Sequence, residues 1–351
     1  MVSMIRNLKI RNFRGIKEGD LELDDLTIIL GGNNAGKTTI LEALFLLPNP
    51  FREVPYSLST PMQTIHEFHR TLDSRGWVFF LYKYSKTRAE IYWESNNNLK
   101  GDLIMIPSGD MLYFTTTNIN KFPSRSEIRI GNSDISYFGY AGLSDTTISY
   151  LNNPQNKNIS LGPNSLLISA EIIKLAERYL YNNWVSIVNT GIPIKVAKDI
   201  SRYIWEDLVN ITIEPYLGGR LSIFGLMKDG SRIRLGDFGS GAQIYIISKI
   251  IHKMYNPDIL LWDDVESHMN PKLLSRIAEW FAELVDEGKQ VIVTTHSLEA
   301  AKMISSFNSN ASILLLKLRD GILESRKMKP EELEEFSLAG VDVRTAEGVL
   351  L

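Results

Sequence analysis

Cysteine is absent from all 351 residues, which excludes disulfide scaffolds, thiolate zinc sites, iron–sulfur clusters and cysteine nucleophiles together. No apolar run approaches the roughly 20 residues that span a bilayer. The opening Met1-Val-Ser-Met-Ile-Arg-Asn-Leu-Lys-Ile passes directly into strand-like alternation, without the apolar stretch of a signal peptide. A soluble, cytoplasmic chain with no membrane insertion is therefore expected. Charge of one sign is lacking too. The 38 Lys and Arg against 41 Asp and Glu leave a net charge of −3. That excludes a protein coated all over with positive charge, though not a local basic patch. Internal repeats and sustained heptads are also missing.

What is present is a change of pattern along the chain. Residues 4–30 alternate apolar and polar and end in Leu26-Thr-Ile-Ile-Leu30, a buried-strand signature. A glycine-rich turn follows, then helical spacing from Lys37 to Leu47, stopped by Pro48 and Pro50. From residue 51 to about 164, segments such as Trp77–Tyr82 and Ile91–Trp93 predict antiparallel strands, and Asn152–Asn158 an exposed loop. Between about 165 and 210, Leu166, Leu167, Ile168, Ile172, Leu175 and Leu180 form one helical stripe. Val196, Ile200, Ile204 and Leu208 form another. After residue 235 strand and helix alternate: Ile259–Trp262, Val291–Thr294 and Ile313–Leu316 read as buried strands. Pro271–Glu287 reads as an amphipathic helix capped by Asn270. The implied fold is α/β, a mostly parallel sheet flanked by helices built from residues 1–50 and 230–351. Residues 51–229 are inserted as a β-rich and then helical arm or lid.

Gly31-Gly-Asn33-Asn34-Ala35-Gly36-Lys37-Thr38 fits G-x-x-x-x-G-K-[ST] between a predicted strand and a predicted helix, the context this phosphate loop requires. Its glycines let the backbone N–H groups of residues 31–39, Thr39 included, approach phosphate oxygens at a helix N-terminus. Lys37 is placed for the β- and γ-phosphates and Thr38 for Mg²⁺. Leu260-Leu-Trp-Asp263-Asp264 is an apolar strand ending in two carboxylates. Asp263 is placed for the Mg²⁺ and Asp264 for the attacking water. The bland alternatives are a turn that only caps a helix and two aspartates that only end a strand.

Phe238-Gly-Ser240-Gly241-Ala-Gln243 resembles the signature motif of ABC-type ATPases, and Thr294-Thr-His296-Ser297 resembles their switch histidine. Leu8-Lys-Ile-Arg-Asn-Phe-Arg14-Gly15 looks like the "NFR" start of RecF- and OLD-like proteins. Asp263-Asp-Val-Glu-Ser-His-Met-Asn-Pro271 resembles their D-E-P-E-x-x-L-H-P run. Over about residues 4–50 and 230–320 the chain thus resembles ABC-type ATPases of the SMC/RecF/OLD-like class. The resemblance implies a P-loop NTPase fold with ATP and Mg²⁺ as ligands. It also implies a head-to-tail homodimer, with the phosphate loop of one subunit and Ser240, Gly241 and Gln243 of the other enclosing ATP. Catalytic roles fall to Asp264 and His296.

Departures from the family matter. Asp264 replaces a glutamate, Val265 a proline and Asn270 a histidine. Long coiled-coil arms are missing, and the short tail after residue 320 implies no Toprim nuclease domain. An aspartate carboxylate falls short by about 1.5 Å, one C–C bond, and a misplacement of roughly 1 Å can cost on the order of 100-fold in rate. Either a shifted backbone or a slow, long-lived closed dimer follows. Glu266 is the alternative water-positioning carboxylate, disfavoured against Asp264 because it is expected beyond the strand end, facing the dimer contact. Gln63, the first glutamine after the phosphate-loop helix, is the candidate for the family's Q-loop.

Other clusters carry weaker signals. His66-Glu-Phe-His69 reads as surface histidines rather than a metal pair, for want of a third ligand. Arg14 either touches nucleotide or partner or is an exposed strand-end arginine. Lys83, Lys86, Arg88 and Lys100 with Tyr82, Tyr84, Tyr92 and Trp93 are either a nucleic-acid contact or a solvated sheet face. The leading functional reading is an Mg²⁺-dependent ATPase whose ATP-driven dimerisation works on DNA or a DNA-associated partner, in repair, genome maintenance or defence. The alternatives are a slowly hydrolysing ATP-gated clamp or toxin-type partner, and the energising subunit of a membrane transporter. The "NFR" start and the long insertion disfavour the last.

Overall fold

A computed structural model describes residues 4–47, 49–54, 56–57, 60–70, 72, 75–117, 135–145, 147–150, 163–201, 206–217 and 221–344. The chain begins with β1 (Ile5–Phe13), β2 (Ile16–Glu22), β3 (Leu26–Gly31), α1 (Lys37–Leu46) and α2 (Pro61–His69). An antiparallel run follows: β4 (Ala89–Ser95), β5 (Lys100–Ser108), β6 (Met111–Thr117), β7 (Ile135–Gly142) and β8 (Ile148–Tyr150). Next come β9 (Ser165–Ile168), α3 (Ala170–Asn189), α4 (Ile192–Ser201) and a three-stranded sheet of β10 (Leu208–Pro215), β11 (Leu221–Met227) and β12 (Arg232–Arg234). The last third alternates: α5 (Ser240–Tyr255), β13 (Ile259–Trp262), α6 (Pro271–Asp286), β14 (Gln290–Thr295), α7 (Leu298–Ser305), β15 (Ser312–Arg319), β16 (Ile322–Met328) and α8 (Pro330–Leu338).

Thirteen strands form one sheet, in the order β8-β7-β6-β5-β4-β1-β2-β16-β15-β3-β14-β13-β9. The half from β15 to β9 is parallel. Its strands are continuous apolar runs because both faces are covered: every residue of β3, β9, β13 and β14 is buried. The other half is antiparallel except for a short parallel contact between β2 and β16, and its outer strands are built onto β1, where β4 pairs along residues 90–95. Strands β4 to β8 thus continue the same sheet edgewise. Gln290, fully buried, ties the halves together by accepting from the Ile5 N–H at 2.9 Å and donating to the Ile5 carbonyl at 2.7 Å. In the parallel half, Trp262 stands level with Ile168 and Val293, and Leu30 with Thr295. Residues following these strands therefore emerge together on one edge, the place where open parallel sheets build their sites.

Three stretches differ from their sequence patterns. Leu166, Leu167 and Ile168 form strand β9 rather than the first turn of a helix, and Leu208 opens β10. A short, fully buried strand and a helix stripe read alike until the partner β13 is known. Trp77–Tyr82 is not a strand but two single 3₁₀ turns, Val78–Phe80 and Tyr82–Tyr84. Its aromatics cluster instead of alternating: Phe80 stacks on Phe79 at 4.5 Å and on Phe13 at 5.9 Å between ring centroids. Pro48, Ile204 and Asn152–Asn158 lie outside the described residues.

Helix starts divide into two kinds. Thr60, Ser169, Asn270 and Ser297 cap α2, α3, α6 and α7 with their side chains, as Asn270 was expected to. Helices α1 and α5 start at Gly36 and Gly239 and have no side-chain cap, a trait they share with α8. Gly36 adopts the left-handed region at φ 88°, which glycine reaches without strain. At Gly241 the constraint is space, since a Cβ there would lie 2.4 Å from the His268 carbonyl and 2.9 Å from Leu273. Gly241→Ala is therefore expected to destabilise the fold by about 1–3 kcal/mol, the usual result of overpacking. A fall in the thermal midpoint measures it, and an unchanged midpoint refutes the packing argument.

Candidate active site

Four strand ends meet here. The turn after β3 wraps the Lys37 side chain, which is 5% exposed. Its ammonium donates to the carbonyls of Gly31 at 3.0 Å and Gly32 at 2.9 Å and lies 3.0–3.1 Å from the ring nitrogens of His296. Gly31 leaves no room for a Cβ, which would sit 2.9 Å from the Leu316 carbonyl on β15. Asn33 and Asn34 are exposed at the tip, Asn34 with φ 65°, and Ala35 is buried beneath them. The first-turn N–H groups of α1, Thr38 and Thr39 among them, lack a side-chain cap, which leaves them for an anion.

The acidic pair follows β13. Asp263 accepts from the Thr38 hydroxyl at 2.9 Å through one oxygen and from the Thr294 hydroxyl at 2.6 Å through the other. The Asp264 N–H donates back to Thr294 at 2.9 Å. Asp264 has a left-handed backbone, φ 48°, an uncommon state for a non-glycine residue. Its carboxylate lies 3.3 Å from Nε2 of His296. One hydrogen assignment satisfies the group: Nδ1 of His296 accepts from Lys37 and Nε2–H donates to Asp264. Burial raises the Asp264 pKa, Asp263 and Glu266 add to this, and His296 and Lys37 oppose it.

The structure brings Lys37, Thr38, Asp263, Asp264 and His296 together. Ser240, Gly241 and Gln243 make no hydrogen bond to the phosphate loop among the described residues; Ser240 is exposed at the uncapped start of α5. The Gln243 amide folds back to the Phe238 carbonyl at 2.7 Å and so shapes its own turn. Gln63 closes a capping box with Thr60 at the start of α2. Glu266 does not project past the strand end toward a partner; it accepts the His296 N–H at 2.7 Å. Ser169 and Glu171, which the helical pattern concealed, line a cavity of about 190 Å³ beside Thr38 and Asp263.

Arg14 and His69 are half-buried and turned toward the protein rather than free in solvent. Arg14 is ion-paired to Glu42, a 1% exposed carboxylate on α1. His69 completes the group: Nε2–H donates to Glu42 at 2.6 Å and Nδ1 accepts from Arg14 at 3.2 Å. Burial, with Arg14 beside it, lowers the His69 pKa to about 4, so the ring is neutral near pH 7. Burial also lowers Arg14 to about 10, against the pull of Tyr84 and Asp263. His66 lies against Trp77 at 4.4 Å between ring centroids. The basic and aromatic group is dispersed, because Tyr92 and Trp93 are buried in β4 while Arg88 and Lys100 pair with Glu90 and Glu94.

The sequence matches the AAA ATPase domain family (AAA_15) over residues 4–301, and the chain belongs to that family. It is a P-loop ATPase. It is similar to the OLD nuclease of Thermus scotoductus, 50% identical over 12% of this chain and 8% of that one. An uncharacterized Methanocaldococcus jannaschii protein is 57% identical over 36% of this chain and 52% of its own. The histidine/lysine/arginine/ornithine transport ATP-binding protein HisP of Salmonella typhimurium is 33% identical over 19% and 26%. The matches thus span at most about half the length of these relatives. In fold, the chain is similar to an SMC head bound to the C-winged helix domain of ScpA, with a TM-score of 0.56 at 15% identity, covering 93% and 99% of the two chains. Among the described residues no helix is long and apolar enough to cross a membrane.

The raised pKa of Asp264 makes a stability prediction. In the folded state its neutral form is favoured, so this contribution is present at low pH and lost as pH rises through the raised pKa. Asp264→Asn is expected to melt at a higher temperature than wild type at pH 7, with the advantage shrinking toward pH 4. Calorimetric melts at both pH values decide it, and a lower midpoint at pH 7 contradicts the argument.

Proposed function

We propose that two copies of the chain close head to tail on Mg²⁺ and ATP, and that this closure acts on DNA or a DNA-associated partner in repair, genome maintenance or defence. The observation that carries the reading is the hydrogen-bonded set Lys37, Thr38, Asp263, Thr294, Asp264 and His296 at one sheet edge. In this reading Gly31, Asn33, Asn34, Ala35, Gly36, Lys37, Thr38 and Thr39 cradle the phosphates. Lys37 exchanges the carbonyls of Gly31 and Gly32 for β- and γ-phosphate oxygens. The Thr38 hydroxyl and the Asp263 carboxylate are hard oxygen donors 2.9 Å apart, which suits Mg²⁺. When bound, that ion neutralises charge on the phosphate oxygens.

Thr294 holds Asp263 in place through its second oxygen. Asp264 orients the attacking water and takes its proton, its raised pKa bringing it nearer the working range of a general base. On closure the Nε2–H of His296 passes from Asp264 to the γ-phosphate, while Nδ1 still faces the Lys37 ammonium. Ser240, Gly241 and the turn shaped by Gln243 present an uncapped helix start that faces no phosphate of its own subunit. Offered to the other copy, it completes the phosphate cage. A slow clamp is the second reading, favoured by the short side chain of Asp264 already engaged with His296. For the partner, the DNA assignment rests on the family class, and a protein such as the ScpA domain of the similar SMC head is the alternative.

Lys37→Ala is expected to abolish ATP binding or turnover; calorimetric titration showing both unchanged sinks the phosphate-loop role. Asp264→Asn is expected to double in mass by light scattering with Mg-ATP, and Ser240→Arg to block this. Constant mass with bound ATP rules out the closed pair. Labelled duplex DNA should bind with a steep salt slope in anisotropy, and no binding at low salt with ATP present transfers the reading to a protein partner.

A further inference from the structure

The two peptide groups that flank the His296 Cα are each gripped by a side chain. Its N–H donates to Glu266 at 2.7 Å, and its carbonyl accepts from Nη1 of Arg344 at 2.7 Å. Arg344 is held in turn by Asp342: Nε donates to Oδ1 at 2.9 Å and Nη2 to Oδ2 at 2.6 Å, a two-point guanidinium–carboxylate pair. The pair raises the Arg344 pKa, keeping the donor charged. Val343 between them is fully buried, which anchors the segment's backbone. Upstream, α8 is tied to α7 by a hydrogen bond from Lys302 to Ser337. Helix α7 begins directly after His296, at its N-cap Ser297.

We propose that Asp342, Val343 and Arg344 form a brace that sets the imidazole of His296, making Arg344 a positioning residue for ATP hydrolysis. The inference rests on the reading of His296 as catalytic. His296 is the single residue between the end of β14 and the cap of α7, so rotation of either flanking peptide group swings the ring away from Lys37 and Asp264. Opposed hydrogen bonds to N–H and C=O stop that rotation. The donor and acceptor come from separate parts of the chain, one beside Asp264 and the other from the segment after α8. The ring position therefore depends on the docking of that segment as well as on the strand that bears it. A displacement of roughly 1 Å at a reacting group is enough to lower a rate by on the order of 100-fold.

The test uses the full chain with Arg344→Ala, Arg344→Lys, Asp342→Asn and His296→Ala. It compares kcat and KM for ATP, ATP affinity by calorimetry, and the His296 imidazole resonance in histidine-labelled protein, assigned from its loss in His296→Ala. Arg344→Ala is expected to lower kcat about 10- to 100-fold with KM and ATP affinity within about twofold, and to shift the His296 resonance. Arg344→Lys, with one nitrogen able to reach the carbonyl, is expected to recover part of kcat. Asp342→Asn is expected to lose less than Arg344→Ala. Unchanged kcat and resonance in Arg344→Ala overturn the brace, as does a loss of affinity that matches the loss of kcat. If Arg344→Ala does not fold, Asp342→Asn and Arg344→Lys carry the same comparison. Wild-type kcat in His296→Ala defeats the catalytic reading of His296 alone, while the brace is still judged by the resonance in Arg344→Ala.

Discussion

One carboxylate organises the site. Asp263 sits at the end of β13 with each oxygen engaged by a different hydroxyl, Thr38 from α1 and Thr294 from β14. The arrangement fixes the phosphate-loop helix, the acidic strand and the histidine-bearing strand relative to one another. It also makes the neighbouring carboxylate tolerable. Burial at this edge, and then repulsion between two aspartates in sequence, fall on Asp264, whose pKa rises while Asp263 keeps its hydrogen bonds. The left-handed backbone of Asp264 sets its side chain toward His296, where the ring and the Lys37 ammonium oppose that rise. Unequal environments for adjacent carboxylates are a familiar way to separate a structural role from a proton-accepting one.

A second support lies beneath the first. Glu42 is one helical turn beyond Thr38 on α1, almost wholly buried, and takes Arg14 from the β1–β2 turn and His69 from α2. A buried carboxylate of this kind needs both partners, because removal of either strands a charge or a polar atom in a low-dielectric interior. The helix that presents the phosphate loop is thereby held at its first turn through Thr38 and at its second through Glu42.

Much of this was legible in the sequence, for identifiable reasons. The phosphate loop, the acidic strand end and the Asn270 cap are local patterns, and each residue's role follows from neighbours a few positions away. Leu166–Ile168 failed as a reading because three buried apolar residues running into a helix carry no periodicity of their own. Glu42 with Arg14 and His69, Glu266 with His296, and Arg344 with His296 are contacts across long stretches of chain. No spacing rule marks them. A carboxylate two residues past Asp264 read as lying beyond the strand end at a dimer contact, yet the chain turns there and brings it back to the His296 N–H.

The placement of β3 has a consequence for how the chain is made. This strand carries the phosphate loop, is buried along its whole length, and pairs only with β14 and β15 from the last quarter of the sequence. A ribosome adding about 5–20 residues per second leaves Leu26–Gly31 without either neighbour for on the order of tens of seconds. During that interval the antiparallel strands from β4 to β8, whose partners are mostly adjacent in sequence, are already synthesised beside β1 and β2. The wing is complete in the nascent chain well before the nucleotide-binding half has its strands. A chain released before β14 therefore carries an unpaired apolar strand into solution, and the phosphate loop gains both flanking strands only near the end of translation.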